Sequence, residues 1–300
     1  MARRAEPREF GRPLQTVPSR VGLVVHPTRA IEEPLRQLRR WSKQHGVGLL
    51  QIRGFSQQQH VADEGDAADC DLLISIGGDG TALAAIRAGV TGARPVLAVA
   101  CGSLGVLTSV AADGLIDAIE RFGRGDWIAW SLPALNVSRE SGSQLFALND
   151  IAIVRAGEGQ LRLIAEVDGH VFARIAGDGC IVSTPVGSSA YALAAGGPLI
   201  APELHAFAVT PLPTHGGSCP PLVIGADSII RLTATPGHGG ARLELDGQVV
   251  DTLVGALTIS FRTGVATVVS FADQEPFLTV LRKRKIIADS PRILAEEARS

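Results

Sequence analysis

The sequence predicts an open α/β domain of the doubly wound kind followed by a domain that is mostly β. Three observations carry this prediction. From Val21 to about Trp127, short apolar runs alternate with segments of helical period; after Asp126 the apolar residues alternate or bunch between glycine-rich turns. The length of 300 residues exceeds the usual size of one core, so two cores are expected.

In order along the chain, residues 1–19 read as a disordered arm, rich in arginine with no apolar run behind it, and so neither a secretory signal nor an anchor. Val21–Val25, Val47–Ile52, Leu72–Ile76 and Val96–Ala100 are apolar runs suited to buried parallel strands. Ile31, Leu35, Leu38 and Trp41 recur at helical spacing between the first two, with Arg36, Arg39 and Arg40 available for a wet face. Ala111–Phe122 offers another amphipathic helix, which completes an open, Rossmann-like first domain over 20–128.

The second domain, 129–275, opens with Leu132–Val137, Leu145–Val154 and Leu161–Val167 and continues through Ile229–Thr235, Ala256–Phe261 and Ala266–Phe271. Asp168-Gly169 and Asp246-Gly247 are hairpin signals, because two-residue turns that match strand twist need positive backbone angles. One helix is expected from Ser188 through Tyr191 to Ala195, where Gly196-Gly197-Pro198 stops it. Residues 276–300, with Arg282, Lys283, Arg284 and Lys285, form a tail expected to pack back on the first domain.

Three segments bear chemistry. Gly77-Gly78-Asp79-Gly80-Thr81 lies directly after a strand and before an apolar helix expected to start at Ala82. Such a turn aims backbone N–H groups and the positive helix end at one spot, which binds phosphate. Asp79 sharpens the reading: a carboxylate beside phosphates is repelled unless it helps hold magnesium or takes a proton from an attacking hydroxyl, and both roles belong to phosphoryl transfer. No Lys-Ser/Thr pair follows the glycines and the third glycine of the dinucleotide fingerprint is missing, so the common phosphate loops do not fit. The plain alternative is a tight strand-to-helix turn.

The second segment runs from Asp178 to Tyr191 and holds the only tyrosine. Its Pro185-Val186-Gly187 turn, with Thr184 before it and Ser188, Ser189 and Ala190 after it, suits ribose hydroxyls or phosphate, and Tyr191 could stack on a base. A capped helix with one core aromatic is the alternative. The third is Asn149-Asp150 inside the expected strand Leu145–Val154, where one polar residue must oppose the core pattern; ligand hydroxyls, a β-bulge or a buried network would each satisfy the pair.

Bulk properties narrow the partners. A net charge of -2 gives no field to hold a polyanion, which argues against nucleic acid. The longest uncharged stretch, Pro95–Ala112, is interrupted by Pro95, Gly102 and Gly105 and is unsuited to crossing a membrane. Cys70, Cys101, Cys180 and Cys219 show neither metal-ligand spacing nor a disulfide framework, as expected of free thiols in a cytoplasmic protein.

In this order, over the span from Val21 to Phe271, the three segments resemble the NAD kinase family. The resemblance implies a β-sandwich as the second domain, a site in the cleft between the domains, ATP as phosphate donor to NAD, a divalent metal (magnesium held mainly by the ATP phosphates), and a homodimer or homotetramer. It also implies roles. Asp79 would be the general base on the ribose 2'-hydroxyl, with Gly77, Gly78, Gly80 and Thr81 as phosphate loop. Asn149, Asp150, Asp178, Thr184, Ser188, Ser189, Ala190 and Tyr191 would bind nucleotide.

The chain departs from the family pattern at Ala100, where Asn is usual, at Val186, where a hydroxyl residue is common, and at Pro220, where Arg usually precedes Pro221; Asp150 replaces Glu. A missing hydrogen-bonding group can shift specificity by orders of magnitude. Two other readings therefore stand beside NAD phosphorylation. One is a kinase that uses the same loop on another acceptor, a different nucleotide or nucleoside; diacylglycerol, sphingosine and 6-phosphofructo kinases have similar glycine loops, but the match at Asn149-Asp150 and Tyr191 argues against a lipid or sugar. The other is a nucleotide sensor without catalysis. His26 and His215 are further candidates for contact with the site, with surface loops as the plainer reading.

Overall fold

A computed structural model describes residues 17–53, 59–252 and 255–297. The expected N-terminal arm lies outside the described residues except for its last three; of these, Ser19 donates its N–H to Asp71 at 2.7 Å. The chain divides into two compact units, residues 1–131 with 266–300, and residues 132–265. The expected boundaries at 128/129 and 275/276 therefore move. The second shifts furthest, because Ala256–Phe261 and Ala266–Phe271 are not separate strands but one, Ala256–Ser270, within which the division falls.

Unit 1 is an open parallel sheet. Its strands stand in the order Ala256–Ser270 (through Val268), Val96–Ala100, Leu72–Gly77, Arg20–Val25, Gly48–Ile52 and Glu64–Gly65. The central strands are buried along nearly their whole length, the burial a parallel sheet covered on both faces requires. Helix Glu32–His45 and helix Leu115–Arg124 cover one face, with Leu35, Leu38, Trp41, Ile119 and Phe122 in one cluster with Val21, Leu23, Ile74 and Leu97. Helix Asp79–Gly92 packs on strands Leu72–Gly77 and Val96–Ala100 through a face of Ala82, Ala85, Ile86 and Gly89. This helix begins at Asp79, three residues before the expected Ala82, so Gly80 and Thr81 belong to its first turn.

Strand order reverses between Arg20–Val25 and Leu72–Gly77: the first is followed outward by Gly48–Ile52, the second in the opposite direction by Val96–Ala100. Loops leaving the carboxyl ends of such a pair diverge and open a crevice, the usual ligand position in an open α/β sheet. Those loops are His26–Arg29 and Gly77–Gly80.

Unit 2 is antiparallel and forms a sandwich. One sheet contains His170–Gly177, Leu161–Val167 and Ile229–Thr235; the other has the order Leu222–Gly225, Ala206–Pro211, Gly179–Ser183, Asp150–Arg155, Ala241–Leu245, Gln248–Asp251. Alternation places Leu161, Leu163, Ala165, Ile230 and Leu232 of the first sheet in a single core with Ile151, Ile153, Val182, Phe207, Leu243 and Leu245 of the second. Both expected hairpin turns form, with φ of 51° and 79° at Asp168-Gly169 and 52° and 76° at Asp246-Gly247.

Two expectations are corrected. The strand expected over Leu145–Val154 is two, Gln144–Ala147 and Asp150–Arg155, broken at Leu148-Asn149; Asn149 sits in the break. The helix expected from Ser188 to Ala195 is a 3-10 turn, Gly187–Ser189, followed by one helical turn, Tyr191–Ala194, because Ala190 adopts φ -101° and ψ -122° between them. A single turn sums few peptide dipoles and offers no substantial anion site.

Candidate functional site

Unit 1 holds the glycine loop. Helix Asp79–Gly92 is capped by Gly78 without any side-chain hydrogen bond, and its first intrahelical bond runs from Ala82 N–H to the Gly78 carbonyl at 2.9 Å. The N–H groups of Asp79, Gly80 and Thr81 are thus left without intrahelical acceptors, at the positive end of a helix of 14 residues. Around Gly80 the space is open, as close approach of a ligand requires. Thr81 has a different part: it is buried, and its side chain packs on Gly77, where an added β-carbon would stand 2.3 Å from Thr81 Oγ1.

The Asp79 carboxylate is held in place. It accepts from the N–H of Val106 at 3.1 Å on Oδ2 and from the N–H of Leu107 at 3.0 Å on Oδ1, while Arg284 of the tail forms an ion pair with Oδ2. The Gly105–Thr108 turn is itself tied by Gly105 N–H to Thr108 Oγ1 at 2.6 Å. Arg29 completes the loop's surroundings. Its Nη1 donates to the Cys101 carbonyl at 3.1 Å, and the same atom is 3.4 Å from where a β-carbon on Gly78 would stand. His26 shapes that loop: its Nδ1 accepts from the N–H of Thr28 and of Arg29 at 3.2 and 3.1 Å, so the ring acts as a turn cap. Burial and the nearby Arg29 charge lower its pKa, which favours the neutral ring that capping needs.

Unit 2 brings together the other candidates. Asp246, from the second hairpin, accepts from Leu148 N–H at 3.1 Å and Asn149 N–H at 2.7 Å, with Asp150 N–H at 3.3 Å. It braces the break that carries the Asn-Asp pair. Asp150 is 3% exposed, and burial first, then the charges of Asp246 and Glu244, push its pKa up to about 7. Asn149 presents a buried side-chain oxygen with no hydrogen-bond partner among the described residues, an acceptor that a ligand donor would satisfy.

The Thr184 and Ser188 hydroxyls are committed internally. Thr184 Oγ1 donates to the Leu148 carbonyl at 2.7 Å and accepts from Gly187 N–H at 3.1 Å; Ser188 Oγ donates to the Pro185 carbonyl at 2.6 Å and accepts from Ile200 N–H at 2.9 Å. Ser189 Oγ donates to the Val186 carbonyl at 2.9 Å, and Ala190 is exposed beside it. These residues build the turn that packs on Asn149. Tyr191 and Asp178 line a cavity of about 510 Å³ together with Arg155, Leu212 and Arg242. Arg155 is ion-paired to Asp178 there, and Tyr191, 38% exposed, presents its ring. A base could stack on that face.

The departures lie at defined places. Ala100, 1% exposed, pairs with Gly77 across the parallel strands, so its methyl belongs to the residue beside the start of the loop. Val186 is buried in the turn, and Pro220 and His215 are exposed.

The ATP-NAD kinase N-terminal domain matches residues 21–127, and the ATP-NAD kinase C-terminal domain matches residues 148–268. The chain belongs to the NAD kinase family. Among its relatives, the NAD kinase of Heliobacterium modesticaldum is 36% identical over 262 residues, 84% of this chain and 93% of that one. That of Gemmatimonas aurantiaca is 35% identical over 213 residues, 67% of this chain and 73% of its own. Two solved NAD kinase folds are similar. A yeast NADH kinase complexed with NADH has a TM-score of 0.77 and 23% identity over 93% of this chain and 89% of that one. An Archaeoglobus fulgidus NAD kinase in complex with ATP has a TM-score of 0.70 and 24% identity, covering 90% of this chain and all of that one.

Sequence reasoning missed four residues of these NAD kinase units. Arg29, Gly105 and Asp246 reach their places through turns distant in sequence. Arg284 stood out only as one of a run of tail charges.

Proposed function

We propose that this chain transfers the terminal phosphate of ATP to the 2'-hydroxyl of the adenosine ribose of NAD, giving NADP. The observation that carries the reading is the placement of Asp79: a carboxylate at the first residue of a helix whose free amides form an anion cradle, at the point where strand order reverses. In this reading Gly78 and Gly80 let phosphate approach the amides of Asp79, Gly80 and Thr81, and Asp79 takes the proton of the attacking hydroxyl. Unit 2 supplies recognition: Asn149 and Asp150 bind ribose or base groups, Asp178 with Arg155 borders the cavity, and Tyr191 stacks on a ring.

Magnesium fits as an ion carried by the ATP phosphates. Among the described residues no group of three or more His, Cys, Asp or Glu side chains could hold a metal, and Asp79 offers one carboxylate at the phosphate loop. Bound there, the ion would neutralise charge on the transferring phosphoryl group. The same reading carries a cytoplasmic, homodimeric or homotetrameric enzyme. In its support all four cysteines are free thiols, and among the described residues no helix is long and apolar enough to cross a membrane.

The methyl of Ala100 in place of an amide favours keeping a second acceptor in view, another nucleotide or nucleoside. One experiment addresses both. Labelled ATP and magnesium with a panel of NAD, NADH, nucleosides, a lipid and a hexose should yield labelled NADP, and Asp79→Asn should lower turnover by roughly 10²–10⁴. Labelling of another acceptor in preference to NAD would transfer the reading to that acceptor. Tight NAD binding without turnover under any donor would make the chain a sensor.

A further inference from the structure

We propose that Arg29 and Arg284 are phosphate-binding residues of the donor site, supplying from two distant stretches of one unit the positive charge that a lysine after the glycines supplies in other phosphate loops. The inference rests on the reading of Gly77–Thr81 as the ATP phosphate site.

Three observations converge on it. No Lys or Arg lies between Gly77 and Ile86, so the loop and the first turns of its helix contain no cation of their own. A loop that receives a triphosphate beside Asp79 needs positive charge to offset both. The described residues place two guanidinium groups there. Arg29 Nη1 is 3.4 Å from a β-carbon built on Gly78, and Arg284 is ion-paired to Asp79, the next residue. Arg29 is carried by the loop at the carboxyl end of Arg20–Val25, one of the two strands between which the order reverses.

Both groups have donors to spare. A guanidinium carries five N–H donors in a planar fork that matches phosphate oxygens. Among the described residues the Arg29 fork donates to the Cys101 carbonyl and the Arg284 fork to Asp79. The Arg284 side chain remains 35% exposed and Arg29 is exposed, so each can reach an incoming anion while keeping its present contact. Arg284 in addition neutralises the carboxylate that would otherwise repel the phosphates. Its place is set by the tail helix Phe277–Lys283, anchored through Leu281, which is fully buried.

Calorimetric titration of the full chain with inorganic tripolyphosphate and magnesium tests the inference, alongside NADP formation. Arg29→Ala and Arg284→Ala should each weaken tripolyphosphate binding by about ten- to a hundredfold, with Arg29→Lys and Arg284→Lys intermediate. The decisive arm separates phosphate binding from bracing of Asp79. In an Asp79→Asn background the ion pair is already gone, so Arg284→Ala should still weaken tripolyphosphate binding at least about tenfold. Loss of that effect, or affinities within twofold of the parent for either arginine, overturns the proposal; the lysine variants decide it if an alanine variant does not fold. A parent chain that makes no NADP defeats instead the reading on which it rests.

Discussion

Asp79 Oδ1 lies against Gly105 so closely that a β-carbon on Gly105 would stand 1.8 Å from it. The carboxylate is aimed by a neighbouring turn that has no side chain at this point, and the amides of Val106 and Leu107 then hold both its oxygens.

Gly105→Ala should therefore act as a catalytic lesion. The methyl displaces the carboxylate by an ångström or more, and misplacement of that size can cost about 10²-fold in rate. Steady-state assays should show kcat falling by about that factor with thermal unfolding little changed. An alanine variant with parental kcat would mean that Asp79 does not act from this position.

Asp150 sets a pH dependence. Its carboxyl holds its proton more tightly folded than unfolded, with a pKa of about 7 against 3.8. The resulting stabilisation is complete below the unfolded value and is lost as pH rises through about 7. Asp150→Asn cannot lose it. Unfolding free energies of variant and parent should differ little in their offset below pH 4, and the difference should grow in favour of the variant up to pH 7–8, by at most about 1.4 kcal/mol per pH unit. Denaturant titrations at several pH values measure it; a difference independent of pH would remove the buried acid from the account.

Gly187 is the counterpart of Gly105 in unit 2. A β-carbon there would lie 1.9 Å from the Asn149 carbonyl oxygen, backbone that cannot swing aside. Gly187→Ala should destabilise the chain by about 1–3 kcal/mol and raise the KM for NAD more than that for ATP. Equal effects on both substrates would argue that the turn does not position the Asn149-Asp150 pair.

Leu281 links the tail to the loop. Truncating this fully buried side chain should cost about 2–5 kcal/mol, measurable by urea unfolding. Since Arg284 follows one turn later and meets Asp79, turnover should fall along with stability. Leu278→Ala, on the exposed side of the same helix, should change neither.

The sequence by itself determined the local grammar. Apolar runs such as Leu72–Ile76 suited buried strands, Asp168-Gly169 and Asp246-Gly247 could turn two strands on each other, and Gly77-Gly78-Asp79-Gly80 marked a tight turn from strand into helix. Those signals are short-range: they follow from side-chain period and from backbone angles that few residues tolerate. Local signals erred where a tertiary contact overrode them. Asp246 opens the strand expected at Leu145–Val154 by taking its amides, and the angles at Ala190 cut short the helix expected from Ser188. Only the tertiary structure decided that Gly105 and Arg284 meet Asp79 and that Arg29 stands beside Gly78. Their distances along the chain leave no period to read, and the order in which parallel strands lie side by side, which brings those turns to one edge of the sheet, is settled by packing across the whole core.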